Sequence, residues 1–208
     1  MVIMTRTGRP RGFDEEEVLA QARDLFWSRG YGATSVQDLV DALALQRGSL
    51  YGAFGDKRAL YLKAVALYVR ENRRQLEAIL EAGPVLPALR RMLAEPATLT
   101  GAGDHESSRG CLVGNTTAEL VPGDDEARAL VAAAYDGFID VVATALGRAQ
   151  QSGEVTTSAT PQAQAQLLLL LFQGSALIGR VDPGSRDRFI AGIDAALEAL
   201  RVHPRPEI

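Results

Sequence analysis

The chain has 208 residues, of which 47% are hydrophobic, and its formal net charge at pH 7 is −4. This composition excludes an intrinsically disordered chain, and a single cysteine excludes an intramolecular disulfide. Alanine and leucine dominate over valine, isoleucine and the aromatic residues, which favours helices over strands. The most apolar run, 167–172, is too short for a bilayer, which takes about 20 residues. We therefore expect a helical protein of the cytoplasm without a membrane span.

Three short helices are predicted at the start of the chain. Residues 14–29 place apolar side chains on one helical face, and Gly30 ends that helix. Ser35 begins the second helix, where the sequence SVQD resembles a capping box. The third helix covers 46–54 and follows a tight turn at 44–45. Two helices joined in this way form a helix-turn-helix, whose second helix can enter the major groove of DNA.

Six further helices are predicted after this head, with loops at 96–110 and 151–161. Their predicted ranges are 56–82, 86–95, 111–120, 124–151, 161–180 and 185–201. The sequence therefore predicts an all-α fold of about nine helices, in which a three-helix head precedes a larger helical bundle.

The stretch RGSLYGAF (47–54) of the third helix presents an unusual surface on the side that faces away from the core. Leu50 and Phe54 anchor it inward, which leaves a surface of small and polar residues without an acid. Small residues allow the close approach of a bulky neighbour such as a phosphate backbone. Arg47 can pair with phosphate or read guanine, and hydroxyl side chains beside it can donate to phosphate oxygens. The alternative is that the small cluster of positive charge around this helix arose by chance.

Other candidate anion contacts lie beside this helix. Lys57 falls in the first turn of the next helix, where free N–H groups favour an anion. Thr34 and Ser35 start the second helix in the same way, and the arginines of 1–13 form a basic arm that can enter the minor groove. Plain helix capping and a solvated lysine are the alternative roles for these three side chains.

The stretch FWSRGYGATSVQDLVDALALQRGSLYGAFGDKRALYLKAV (26–65) resembles the DNA-binding region of the TetR/AcrR family of one-component repressors. The resemblance implies a homodimer with a DNA-binding head at 1–55 and an effector-binding and dimerisation domain at 56–208. Three departures from the family pattern mean that an operator sequence cannot be carried over from other family members to this chain. Ala44 replaces a common glycine, Gln46 replaces a common capping residue, and Gly52-Ala53 replaces a common histidine or aromatic pair. The residues predicted to contact DNA are Arg6, Arg9, Arg11, Thr34, Ser35, Gln46, Arg47, Gly48, Ser49, Tyr51, Gly52 and Lys57.

The second half of the chain is predicted to hold the dimer interface and an effector pocket. Residues 167–172 are apolar on every helical face, so we expect that helix to be buried all round. With 185–201 it resembles the last helix pair of the family, which packs against its copy. Pockets of this kind are mostly apolar with a few polar groups. The candidate wall residues are Tyr68, Cys111, Tyr135, Phe138 and Phe172.

Two interpretations of Cys111 stay open. RGCLVGNTTAEL (109–120) resembles a segment found in relatives that sense electrophiles or oxidants, or that bind small aromatic ligands. Arg109 nearby would raise thiol reactivity, whereas a buried cysteine is often a small apolar filler.

No metal, cofactor or catalytic site is predicted. His105 and His203 do not pair with Cys111 at ligand spacing, and DHESS at 104–108 does not by itself make a triad, which geometry defines. The sequence thus predicts a ligand-responsive transcriptional regulator, in particular a repressor that an effector releases from operator DNA. The alternative is a helical small-molecule-binding or interaction protein without DNA binding.

Overall fold

The computed structural model describes residues 13–94, 109–180 and 187–202. The predicted arm residues Arg6, Arg9 and Arg11, the segment 104–108 and His203 lie outside these ranges. The described residues form nine α-helices and one isolated antiparallel bridge, between Val155 and Arg201. The helices are α1 (Glu15–Arg29), α2 (Val36–Ala42), α3 (Arg47–Phe54), α4 (Lys57–Glu81), α5 (Val85–Ala94), α6 (Leu112–Glu119), α7 (Asp125–Gln151), α8 (Pro161–Ile178) and α9 (Asp187–Glu198). The predicted all-α fold is confirmed.

Local signals set the boundaries of the head helices. The Asp14 carboxylate accepts a hydrogen bond of 2.8 Å from the Glu16 amide and so caps α1. The predicted capping box is present on α2, where the Ser35 hydroxyl accepts from the Asp38 amide and the Asp38 carboxylate accepts from the Ser35 amide. The Ser35 hydroxyl and amide both donate to the Asp38 carboxylate, which lowers the pKa of Asp38. Gly30, with φ +88°, ends α1.

The head packs on the start of the long helix α4. Phe26 of α1 meets Tyr61 of α4 edge to face, with ring centroids 4.9 Å apart, and both side chains are fully buried. Leu50 and Phe54 hold α3 to the same core, as the sequence predicts. Because α4 then continues along α7, it connects the head to the larger bundle of α5–α9.

The turn of the helix-turn-helix contains a strained residue. Ala44 adopts φ +50°, a left-handed conformation that costs an alanine about 1–2 kcal/mol and a glycine almost nothing. The sequence departs from glycine here, yet the backbone keeps the conformation that glycine favours.

Replacing Ala44 by glycine should therefore raise the free energy of unfolding by about 0.5–1 kcal/mol, because strain is removed from an exposed turn residue. Urea denaturation measures the change. Ala42→Gly, two residues earlier and in helical conformation, is the matched control and should lower stability by a similar amount. If Ala44→Gly lowered the free energy of unfolding as much as Ala42→Gly does, the strain assigned to Ala44 would be contradicted.

The helix pair α7–α8 forms the centre of the larger bundle, with Leu146 and Leu168 fully buried. The prediction that 167–172 is buried on all sides is wrong for the single chain. Leu167 is 47% exposed and Leu170 71% exposed, whereas Phe172 is buried. No element among the described residues covers the outer face of α8, so an apolar strip stays at its surface.

By length and composition alone, α7 is the one helix among the described residues that could cross a membrane. It packs against α8, α4 and α6 instead. The same length and composition occur in core helices of soluble proteins.

Candidate nucleic-acid interface and effector cavity

The outer face of α3 is exposed and free of acids. Arg47, Ser49 and Tyr51 all point to solvent, Tyr51 being 41% exposed, and Gln46 at the N-cap makes no side-chain capping bond. Neither Arg47 nor Gln46 has a side-chain partner within the ranges that the structure covers. The face therefore offers one guanidinium, one amide and two hydroxyls that no side-chain contact among the described residues uses.

Two glycines flatten the same surface. A Cβ atom added at Gly48 or Gly52 would meet nothing within 4 Å, so packing inside the described chain does not require either glycine. Each costs a helix about 0.5–1 kcal/mol relative to alanine. No packing contact inside the described chain offsets this loss of helix stability. Close approach of another molecule to the helix backbone would explain why both positions hold glycine.

Gly52→Ala should raise the free energy of unfolding by about 0.5–1 kcal/mol and should weaken DNA binding, because its methyl group enters the space that DNA would occupy. Chemical denaturation and DNA titration measure the two effects. Gly147→Ala, inside α7 with only an ordinary 3.8 Å neighbour, is the matched control. It should stabilise the protein without changing DNA affinity. A Gly52→Ala variant with unaltered DNA affinity would contradict close approach at this position.

Lys57 and Arg58, the two basic residues that follow α3, make different contacts. The Lys57 ammonium lies 4.2 Å above the centre of the Tyr31 ring, at the N-terminus of α4. Arg58 points the other way, towards the start of α7. Its guanidinium binds Asp124 in a bidentate pair, with one N–O distance of 2.7 Å, and reaches Glu126 at 2.9 Å. This pair holds the pKa of Asp124 at about 2. The positive charge of Arg58 is therefore neutralised by Asp124 and Glu126 of the same chain.

The structure corrects the prediction that the Thr34 side chain contacts DNA. Its side chain is fully buried, and its hydroxyl donates to the Gly30 carbonyl at 2.7 Å. It therefore stabilises the bend between α1 and α2 and cannot reach a phosphate. Ser35 is exposed, and its hydroxyl serves the capping box of α2.

A cavity of about 100 Å³ lies in the larger bundle, between α4, the start of α6, α7 and α8. It brings together all five predicted wall residues, Tyr68, Cys111, Tyr135, Phe138 and Phe172. The Phe138 and Phe172 rings stack with centroids 5.7 Å apart. The cavity is also lined by Asn72, Arg73 and Gln173, which were not predicted from the sequence. Tyr68 and Asn72 are four residues apart on one helix, which is the signal that could have found Asn72.

Two neutral donors lie next to the single thiol in the wall of this cavity. The Gln173 amide donates to the Cys111 sulfur at 3.6 Å, and the Tyr68 hydroxyl lies 4.0 Å from the same atom. Burial raises the pKa of Tyr68 well above its usual value, so the phenol stays protonated. Sulfur is a weak acceptor, and both donors are therefore available to a stronger acceptor on a ligand.

Helix α6 connects the cavity to the head. Cys111 is its N-cap residue, and Glu119 at its other end accepts a hydrogen bond of 2.9 Å from the Gly32 amide of the α1–α2 loop. Between them, Thr116 donates to the Leu112 carbonyl, and the Tyr61 hydroxyl lies 2.9 Å from the Thr116 hydroxyl. One short helix thus contacts both the cavity and the head.

Comparison with known families matches both parts of the chain. The model for bacterial regulatory proteins of the tetR family matches residues 18–64, and the model for the tetracyclin repressor-like C-terminal domain matches residues 85–193. The chain belongs to the tetR family. As a tetR-family protein it is a DNA-binding transcriptional regulator that responds to a ligand. Repression and dimerisation are typical of the family.

Three similar proteins illustrate the relationship. The uncharacterised regulator YezE of Bacillus subtilis is 33% identical over 149 residues, which are 71% of this chain and 76% of YezE. The repressor ComR of Escherichia coli is 28% identical over 175 residues, which are 83% of this chain and 82% of ComR. The structure of a CifR cysteine mutant bound to 26-bp double-stranded operator DNA is 27% identical, with a TM-score of 0.77, and covers 93% of this chain and 100% of that one.

Proposed function

We propose that the chain represses transcription by placing the acid-free face of α3 in the major groove of operator DNA. The residues that contact DNA are Ser35, Gln46, Arg47, Gly48, Ser49, Tyr51, Gly52 and Lys57, and the arm residues Arg6, Arg9 and Arg11 reach the minor groove. An effector in the cavity of α4, α6, α7 and α8 then releases the protein from DNA.

One observation supports the DNA-contact residues above all others. Arg47 and the two glycines lie on one exposed helix surface that neither the core nor an ion pair of the described residues uses. Arginine on such a surface can form two hydrogen bonds to guanine, and the flat glycines allow the helix to come close. The CifR structure, which contains operator DNA, supports the same placement of the head.

The effector is a small molecule that the cavity can enclose. An apolar cavity of about 150 Å³ takes benzene, so the volume of about 100 Å³ suits a compact ligand. The stacked rings of Phe138 and Phe172 favour a planar apolar body. The amide of Gln173 and the phenol of Tyr68 favour an acceptor oxygen on its inner end. Among the described lining residues, no histidine or carboxylate offers a general base, so the proposal includes no catalytic step.

The two functions divide near Asp56. Residues 1–55 form the DNA head and 56–208 the effector and dimer domain, with α4 packed on α1 at one end and on α7 beyond it. The exposed apolar strip of α8, Leu167, Leu170 and Leu177, supports a dimer in which the copy covers it. Because its ligand is DNA, we place the protein in the cytoplasm.

The DNA half of the proposal is tested by selecting bound fragments from a pool of random double-stranded DNA and titrating the selected sequence. Affinity should fall steeply between about 50 and 300 mM salt, since phosphate contacts release counterions. Lys57→Ala should reduce the salt slope by about 1. Arg148→Ala removes an exposed positive charge of α7, remote from the head, and is the control that should leave the slope unchanged. Failure to retain any sequence would favour the alternative, an interaction protein without DNA binding.

The effector half is tested by repeating the titration with cell metabolites and with a thiol-reactive compound, on the wild type and on Cys111→Ser. An electrophile sensor loses its response in the Cys111→Ser variant. A cavity that binds its ligand reversibly keeps the response, and Phe172→Ala then weakens it. Metabolite pools and thiol reagents that leave DNA affinity unchanged in every variant would contradict the effector assignment.

A further inference from the structure

We propose that Trp27 is the residue that couples the cavity to the DNA head. This inference rests on the proposed function, since it assigns the contact through which an occupied cavity changes DNA affinity. Trp27 lies near the end of α1, is 7% exposed, and is the only tryptophan of the chain. Its helix belongs to the head, yet its side chain points into the larger bundle.

The indole ring packs directly on a wall of the cavity. The Trp27 and Tyr68 rings meet edge to face, with centroids 5.1 Å apart and an interplanar angle of 71°. Tyr68 presents its hydroxyl to the cavity, 4.0 Å from the Cys111 sulfur. A ligand that accepts from Tyr68 pushes or rotates this ring against an indole that the head carries. Close-packed aromatic pairs transmit such a shift because the interior leaves little room to absorb it.

The indole N–H provides a second contact. It donates to the Gly110 carbonyl at 3.1 Å, and Gly110 immediately precedes Cys111 of the cavity wall. Gly110 is itself tightly enclosed. A Cβ atom built on it would lie 2.7 Å from Arg180 and 3.2 Å from the Ala176 carbonyl at the end of α8. The segment therefore has little freedom to move independently of α8 and Trp27.

Trp27 thus contacts the cavity wall through the Tyr68 ring, and its hydrogen bond reaches Gly110, the residue next to Cys111 of that wall. Two other links between the bundle and the head lie further from the cavity. Glu119, which binds the Gly32 amide, stands at the far end of α6 from Cys111, and Arg58 binds Asp124 at the start of α7. These contacts fix where the head sits, whereas Trp27 packs on Tyr68, which lines the cavity.

A double-mutant cycle tests this assignment with the cavity occupied by known groups. Two probes fill the cavity: the substitution Ala134→Phe in its wall, and methyl methanethiosulfonate, which adds a methylthio group to the single cysteine and is verified by mass spectrometry. Each probe is applied to the full-length wild type and to Trp27→Phe, which keeps a ring on Tyr68 and removes the N–H donor. Affinity for the selected operator DNA is measured in every form.

In the wild type, each probe should weaken DNA binding by about 10-fold, within the usual range of coupling between two sites. In Trp27→Phe the same probe should weaken it by less than about 3-fold. Leu86→Val, a buried substitution in α5 away from the cavity lining, controls for lost stability and should keep the full factor. An equal factor in the wild type and in Trp27→Phe overturns the role of Trp27 and leaves the effector cavity intact. Probes that leave DNA affinity unchanged in the wild type overturn both.

Fluorescence of the wild type gives a readout that needs no substitution at Trp27. Because the chain has one tryptophan, emission excited selectively in tryptophan comes from this side chain alone. Modification of Cys111 should shift the emission or its intensity at the same reagent ratio at which DNA affinity falls. Unchanged emission in a modified protein that has lost DNA affinity would also overturn the assignment.

Discussion

Replacing Arg47 by alanine is expected to weaken operator binding by about 1–3 kcal/mol, roughly 5- to 150-fold, and to relax specificity at one base pair of each half-site. The side chain is exposed on α3 and makes no ion pair within the described ranges, so its removal should leave the free energy of unfolding nearly unchanged. Titration of the selected operator and of single-base variants measures both effects. The loss in affinity is then a property of the interface and not of the fold.

Arg47→Lys distinguishes the two contacts that the geometry allows. A lysine keeps the charge but not the planar fork that binds guanine at two points. If Arg47 reads a base, the lysine variant loses most of the specificity. If it binds a phosphate, the variant keeps most of the affinity.

Arg74→Ala removes another exposed arginine, on the body of α4, and should leave binding unchanged at moderate salt. If Arg47→Ala binds DNA like the wild type, then the outer face of α3 is not the interface.

The helices were predictable because their signals are local. Asp14, Ser35 and Thr160 each accept a hydrogen bond from a backbone amide two or three residues later, and the sequence shows such caps directly. Apolar spacing likewise indicated that Leu50 and Phe54 face the core. The left-handed conformation of Ala44 was not predicted, although the family that the chain resembles often has glycine there.

Contacts between distant residues were not predictable. Arg58 follows Lys57 directly in the sequence, but Asp124 and Glu126 approach its guanidinium from the start of α7. Thr34 looked like an exposed cap, but its hydroxyl turns inward to Gly30. The cavity draws its wall from four separate helices. Aromatic residues suggested part of that wall, while Gln173 and Arg73 became visible only once the helices were packed.

The exposed strip of α8 shows a different limit. A run that is apolar on every face predicts burial, but it does not say which molecule provides it. Leu170 is 71% exposed in the single chain. The prediction failed because it assigned to one chain a surface that dimers of the family can cover.

Gly110→Ala is expected to lower the free energy of unfolding by about 2–5 kcal/mol, which is the sum of a conformational and a steric penalty. With φ +70°, the backbone costs an alanine about 1–2 kcal/mol. In addition, the new methyl group would lie 3.2 Å from the backbone oxygen of Ala176 and closer still to the Arg180 side chain. Overpacking of this kind costs typically about 1–3 kcal/mol, because the end of α8 must move.

Gly153→Ala separates these two penalties, because Gly153 has φ +78° but nothing within 4 Å of a built Cβ atom. It should therefore carry the conformational penalty alone, about 1–2 kcal/mol. Urea denaturation of both variants gives the difference, which is the steric cost at Gly110. Equal losses would mean that Gly110 is not held against α8. A larger loss at Gly110 means that its carbonyl, the acceptor of the Trp27 indole, is fixed in place between the head and the cavity.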